Sequence, residues 1–313
     1  PEMATWLLLP RRRAEWSHYN PDKSCAHRTF TSYSAPMPDW LAVIILGIVE
    51  GITEFLPISS TGHLILSEKL LPAALMNDAE REVFLITIQS GAVIAVVAVF
   101  IDRLRELGAT WHEPATQDYL KKLVFAFVFT GFFGLAIEKA VERSGGQMIG
   151  DDPLPVAWAL LIGGMLFIII EKWMKEKSPD ESDTSQAKQI TWTIALAFGI
   201  AQLVAAVFPG ASRSGTTILT GLVLGMRRPL AVEFSFLLGV PTLLAAGGYK
   251  MMQAPPEVLS GLWANLLLGT IVSAVTAFIA VKWLLRYVQS HTFVAFGWYR
   301  IALGGIILLA GGL

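Results

Sequence analysis

Six long apolar stretches, at about residues 84–101, 121–140, 155–173, 230–249, 262–285 and 297–313, constrain this chain more than any other feature. Each is near the ~17–25 residues that cross a bilayer as an α-helix. Tryptophans 40, 173, 192, 263, 283 and 298 stand at the edges of apolar segments, where a membrane interface favours indole rings. Charged residues make up only 16% of the chain, against about 25% in soluble domains. The reading is an all-α polytopic membrane protein. With 24 basic against 25 acidic residues there is no electrostatic footprint for nucleic acid. A single cysteine, Cys25, excludes an intramolecular disulfide and a cysteine-based zinc site.

Residues 1–36 read differently, with Arg11-Arg12-Arg13 and no apolar run longer than Trp6-Leu7-Leu8-Leu9. They are expected to be a disordered tail or a non-native extension, with Met37 the natural start. Residues 37–313 are expected to form a single integral membrane domain.

Two further apolar segments, 40–56 and 190–208, run into polar, proline-containing loops and then into short second apolar stretches. The loops are Pro57-Ile58-Ser59-Ser60-Thr61-Gly62-His63 and Pro209-Gly210-Ala211-Ser212-Arg213-Ser214-Gly215. An offset of 152 sets Gly47-Ile48 on Gly199-Ile200, Glu50 on Gln202, Pro57 on Pro209, Ser60 on Ser212 and Phe84-Leu85 on Phe236-Leu237. Each half, about 39–173 and 190–313, then holds one re-entrant helical hairpin and three transmembrane helices. Three spans per half is odd, so the second half inserts upside down: an inverted-topology repeat with its broken segments near the midplane. Broken backbone at that depth must be buried in protein or line a wet cavity, so the two loops should face each other. In this topology one set of connections carries twelve Lys/Arg and the other five. The richer side is then cytoplasmic and both termini are outside.

Ionisable groups at membrane depth are functional candidates by default. Here they are Glu50, Glu54, Arg213, Glu233 and Arg300, with His63 close by. Glu50 and Glu54, four apart, project from one helix face and need a cation between them or a shared proton. A hard divalent ion suits such oxygen ligands; structural pairing with Arg213 and Arg300 is the plainer alternative. Ser59, Ser60, Thr61 and His63 cluster at a helix start, which offers free N–H groups to an anion; helix capping alone is the competing reading. The second loop repeats the theme with Arg213, whose planar fork matches phosphate oxygens. Hydroxyls, guanidinium and a carboxylate-bound cation together make a phosphoryl-handling site. The lack of a P-loop argues against a nucleotide-driven ATPase.

Gly47-Ile48-Val49-Glu50-Gly51-Ile52-Thr53-Glu54-Phe55-Leu56-Pro57-Ile58-Ser59-Ser60-Thr61-Gly62-His63 and Pro209-Gly210-Ala211-Ser212-Arg213-Ser214-Gly215-Thr216-Thr217 resemble the two signature motifs of the bacterial undecaprenyl-diphosphate phosphatases of the bacitracin-resistance type. Ile88-Gln89-Ser90-Gly91, Glu233-Phe234-Ser235-Phe236-Leu237-Leu238 and Trp298-Tyr299-Arg300 resemble the family's lesser motifs, and the likeness runs colinearly over residues 38–313. One departure is Lys188-Gln189-Ile190, where many relatives place an acidic residue, so no role is assigned there.

The resemblance implies hydrolysis of undecaprenyl diphosphate, a membrane-embedded isoprenoid lipid, to its monophosphate and inorganic phosphate. That recycles the lipid carrier for cell-wall synthesis and confers bacitracin resistance. It also implies dependence on a divalent cation, Mg²⁺ or Ca²⁺, and a multi-pass protein of the bacterial plasma (inner) membrane whose site opens to the extracytoplasmic side. As roles, Glu50 and Glu54 would hold the cation, with Glu54 also a base. Ser60 is the preferred nucleophile, and His63 is a general acid–base or itself the nucleophile. Arg213 would clamp the diphosphate with Ser212, Ser214 and Thr217. Ser59 and Thr61 would bind phosphate, and Gln89 and Arg300 would support substrate binding. The rival class is a lipid-phosphate flippase without hydrolysis, because inverted repeats with broken helices are transporter architecture. The oligomeric state stays open, a homodimer included.

Overall fold

The computed structural model describes residues 38–71, 76–144, 152–177, 190–254 and 256–309. Residues 1–36, Lys188, Gln189 and the end of the last apolar stretch, 310–313, lie outside them. Among the described residues all regular structure is helical: α1 (Asp39–Thr53), α2 (Ser60–Leu70), α3 (Asp78–Val99), α4 (Ile101–Ala109), α5 (Pro114–Arg143), α6 (Pro153–Lys177), α7 (Trp192–Val207), α8 (Arg213–Val223), α9 (Arg228–Gln253), α10 (Pro256–Tyr287) and α11 (Val294–Leu309).

Among the described residues, α3, α5, α6, α9 and α10 are long and apolar enough to cross a membrane. The expected sixth span is α11, described over 16 residues, about 24 Å at 1.5 Å per residue. The connection over 102–122 is not a loop. It holds the polar helix α4 and the first turns of α5, which starts at Pro114. Proline's fixed φ suits a first helical position, and hydropathy misses turns built from Gln117, Asp118, Lys121 and Lys122.

The outward surface is apolar. Phe132, Trp263, Ile279 and Trp298 are each more than 60% exposed, which suits lipid and would be an aggregation hazard in water. Lipid gives no hydrophobic drive for helix association, so close packing of small residues must supply it. A Cβ built on Gly47 of α1 would lie 2.9 Å from the Gly269 carbonyl of α10. One built on Gly164 of α6 would lie 2.6 Å from the Gly297 carbonyl of α11. These contacts, with α3 along α10 and α5 along α7, form a frame around the two short broken pairs, α1–α2 and α7–α8.

Gly164→Ala should therefore force α6 and α11 apart and lower thermal stability in detergent by about 1–3 kcal/mol. Gly131→Ala, whose added methyl would meet nothing within 4 Å, should hold or raise the melting temperature, since alanine favours the helix.

Candidate active site

Each broken pair turns through one strained serine. Ser59 (φ 73°) and Ser212 (φ 69°) are the non-glycine residues with positive φ among those described, and such strain persists only where surrounding structure enforces it. Each caps the short helix that follows. Ser59 Oγ accepts from the Gly62 N–H at 3.4 Å, and Ser212 Oγ from the Gly215 N–H at 3.1 Å. The loops thus match Ser59 to Ser212 and Ser60 to Arg213, an offset of 153. The offset of 152, which aligned Pro57 with Pro209, is one residue off in the loops because helical starts, not prolines, are the equivalent points.

The loops touch directly. Ser214 Oγ donates to the Leu56 carbonyl at 3.0 Å. Arg300, fully buried on α11, donates through Nη2 to the carbonyls of Gly210, Ala211 and Ala159 at 3.1 Å and through Nη1 to that of Pro57 at 3.4 Å. Its two terminal nitrogens are engaged by main-chain oxygens of both loops while Nε has no partner, so it positions the loops rather than facing the cavity.

Glu54 gathers the reactive groups. Ser60 Oγ donates to Glu54 Oε2 at 2.7 Å, and Arg213 Nη2 lies 3.5 Å from Glu54 Oε1. Arg213 also donates to the Ser235 carbonyl at 3.4 Å, and its guanidinium sits 4.9 Å over the Phe55 ring. The fork fits against α9 because residue 239 is glycine; a Cβ there would stand 2.7 Å from Arg213 Cζ. Glu50, one turn before Glu54, is 2% exposed with its Oε2 lacking a hydrogen-bond partner, and its carboxyl lies against that of Glu54.

A cavity of about 140 Å³ opens beside these groups, lined by Glu50, Ser60, Thr61, Leu64, Ile65, Arg81, Leu85, Ile86 and Gln89. Thr61 and Gln89 thus face the same space as Ser60. The hydroxyls of Ser214 and Thr217 do not. Thr217 donates within α8 and meets Ser235 Oγ at 2.6 Å, and both residues are fully buried. A hydroxyl has one proton to give, and theirs go to protein oxygens. Ser212, 3.2 Å from Ser214 through its Oγ, and Ser59 cap helices.

His63 is held at both nitrogens. Nδ1 meets the Ser59 carbonyl at 2.7 Å and Nε2 the Tyr299 hydroxyl at 2.6 Å. A carbonyl only accepts, so Nδ1 carries the proton and the neutral ring accepts from Tyr299 at Nε2. Tyr299, half-exposed, was given no role from sequence; its signal is a phenol inside an otherwise apolar helix, a polar tip able to hydrogen-bond. Glu233 points elsewhere, to Arg103 on α4 at 2.9 Å.

Among the described residues, no group of three His, Cys, Asp or Glu side chains is poised for a metal. Two carboxylates, one with an orphaned buried oxygen, still fit a hard cation that takes its remaining ligands from water and phosphate, as Mg²⁺ commonly does.

The family model described as bacitracin resistance protein BacA matches residues 43–306. A protein of Rhizobium etli is 43% identical over 273 residues, covering 86% of this chain and 96% of the relative. One of Rhizobium leguminosarum bv. trifolii is 42% identical over 273 residues, with the same coverage. One of Xanthomonas oryzae pv. oryzae is 40% identical over 276 residues, covering 87% of this chain and 97% of the relative. All three are named undecaprenyl-diphosphatase.

Proposed function

The chain belongs to the bacitracin resistance protein BacA family, and from that premise we infer that it is an undecaprenyl-diphosphate phosphatase. It hydrolyses undecaprenyl diphosphate to undecaprenyl phosphate and inorganic phosphate, recycling the lipid carrier for cell-wall synthesis and conferring bacitracin resistance. The observation that carries the chemistry is the pair of bonds on one buried carboxylate: the Ser60 hydroxyl and the Arg213 guanidinium both on Glu54.

A serine is a weak nucleophile until a base takes its proton, and Ser60 already points its proton at Glu54. In the reaction we propose, Ser60 Oγ attacks the terminal phosphorus as its proton passes to Glu54. The bond from that phosphorus to the bridging oxygen breaks, and undecaprenyl phosphate leaves with the bond's electron pair. Water then attacks the serine phosphate ester, giving up a proton to the site, and inorganic phosphate departs with Ser60 restored. Arg213 spreads the phosphoryl charge. His63, engaged at both nitrogens, organises the loop through Ser59 and accepts from the Tyr299 hydroxyl, which supports Ser60 over His63 as nucleophile.

Glu50 and Glu54 would hold a divalent cation, Mg²⁺ or Ca²⁺, which supplies charge neutralisation to the phosphates when bound. The support is electrostatic. Two carboxylates and a diphosphate against one guanidinium leave an excess of negative charge that burial penalises.

We also place the two halves as an inverted repeat in the bacterial inner membrane, with the α1–α2 hairpin entering from outside and the cavity open to the extracytoplasmic side. The equal length of α2 and α8, their matching strained caps and the lysine–arginine bias support that arrangement.

Phosphate release from undecaprenyl diphosphate by the protein purified in detergent tests this reading. A flippase would release none there, having no second compartment. Ser60→Ala should lose at least about 10³-fold in rate; an active Ser60→Ala enzyme would remove the serine mechanism. Gly239→Ala should push the Arg213 fork off Glu54 and cost about 10²-fold in rate with little change in melting temperature. A chelator should abolish turnover and added Mg²⁺ or Ca²⁺ restore it. Glu50→Gln with Glu54→Gln should be inactive yet as stable as the metal-free parent, because the mutual repulsion is gone.

A further inference from the structure

The carbonyls of the two strained serines are bonded differently. At the start of α8 the Ser212 carbonyl accepts from the Thr216 main-chain N–H at 2.9 Å, the ordinary first bond of a helix. His63 stands at the equivalent place in α2, at the offset of 153. There the Ser59 carbonyl has no main-chain donor among the described residues. The His63 side chain takes that role, with Nδ1 at 2.7 Å. One imidazole therefore replaces the first hydrogen bond of the helix that begins with Ser60.

Such a ring needs holding. The outer torsion of histidine is broad, so a ring bonded at one nitrogen can swing. Its proton can also sit on either nitrogen, and a proton on Nε2 would turn the Nδ1 lone pair towards the Ser59 carbonyl. Which nitrogen is protonated is set by the bond that the other one makes. Tyr299 of α11 makes that bond, with its hydroxyl 2.6 Å from Nε2 and the two rings stacked within 6° of parallel. A phenol that donates to Nε2 keeps the proton on Nδ1.

Tyr299 is 46% exposed on the apolar outward surface, where lipid offers its proton no rival acceptor. The next residue, Arg300, donates to the Pro57 carbonyl at 3.4 Å. Successive residues of α11 thus hold the carbonyls of Pro57 and Ser59, one directly and one through His63. His63 itself is not among the residues that line the cavity, so both rings act on Ser60 from behind.

We propose that Tyr299 is a positioning residue for the phosphatase reaction: through His63 it holds the Ser59 carbonyl, and with it the turn that aims Ser60 at Glu54. The proposal rests on the reading of Ser60 as the nucleophile and adds the group that fixes it in place.

The test is phosphate release from undecaprenyl diphosphate in detergent, with kcat and KM measured separately for the parent, Tyr299→Phe, His63→Thr and the double variant. Tyr299→Phe keeps the ring and loses only the hydroxyl, so its melting temperature should stay close to the parent's. Its kcat should fall about tenfold, because a slightly misplaced nucleophile loses rate. KM should stay within about twofold, since Tyr299 touches no substrate. His63→Thr gives α2 the residue that stands at this place in α8; it should retain measurable turnover. In that background Tyr299→Phe should cost less than about twofold, because the bond through which it acts is already gone. An unchanged kcat with a lower melting temperature makes Tyr299 a strut. A raised KM at constant kcat makes it part of lipid binding, and a tenfold loss on top of His63→Thr routes its effect elsewhere. An inactive His63→Thr gives the ring a chemical step of its own. Each of these four results overturns the proposal while the parent still releases phosphate. A parent that releases none overturns the phosphatase reading, and the proposal with it.

Discussion

The guanidinium of Arg300 is the interaction on which the rest of the structure depends. A chain broken twice inside its membrane domain leaves main-chain carbonyls without helical partners, and hydrocarbon offers them nothing. Arg300 answers both breaks from one point, donating to Pro57 in the first loop and to Gly210 and Ala211 in the second. It anchors them to α6 through the Ala159 carbonyl. A buried guanidinium with no partners would cost several kcal/mol; here carbonyl dipoles surround it. The space for its fork comes from α6, where a Cβ on Gly163 would stand 2.8 Å from Arg300 Cζ. The close α6–α11 packing and the meeting of the loops are therefore one structural fact seen from two sides.

Once the loops are fixed, Glu54 receives groups from both. The helical starts Ser60 and Arg213 are equivalent positions in the two broken pairs, yet one offers a hydroxyl and the other a cation to a single carboxylate. The proposed reaction needs a nucleophile, its base and a charge stabiliser within a few ångströms of one phosphorus, and two matching helix ends that meet at one carboxylate suit that need.

Much of this was legible in the sequence, for definite reasons. Glu50, Glu54 and Arg213 announce themselves because ionisable groups are scarce and costly inside apolar segments. The broken pairs show as prolines and hydroxyls where apolar runs stop. The spans were legible in their lipid-facing middles and not at their ends, because polar first turns such as those of α5 have no hydropathy signal. Arg300 was visible as a charge but not as a hub, since carbonyl partners carry no side-chain signature. Ser214 and Thr217 read like Ser60 in the motif; only the fold shows that their hydroxyls are engaged by Leu56, Arg213 and Ser235.

The two broken pairs share a strained serine cap and a second helix of eleven residues, and differ in charge. At the sequence offset of 152, Gln202 of α7 stands opposite Glu50 of α1, and its amide donates to the Thr130 hydroxyl of α5 at 3.0 Å. Thr130 in turn donates to the Ala126 carbonyl at 2.8 Å. A neutral amide can be buried this way even with its Oε1 unpartnered, whereas a carboxylate there would add another buried negative charge. The second pair contributes a cation and the first its acids, so the loop contacts made by Arg300 and Ser214 are what bring Arg213 to Glu54, and the proposed phosphate chemistry depends on both loops together.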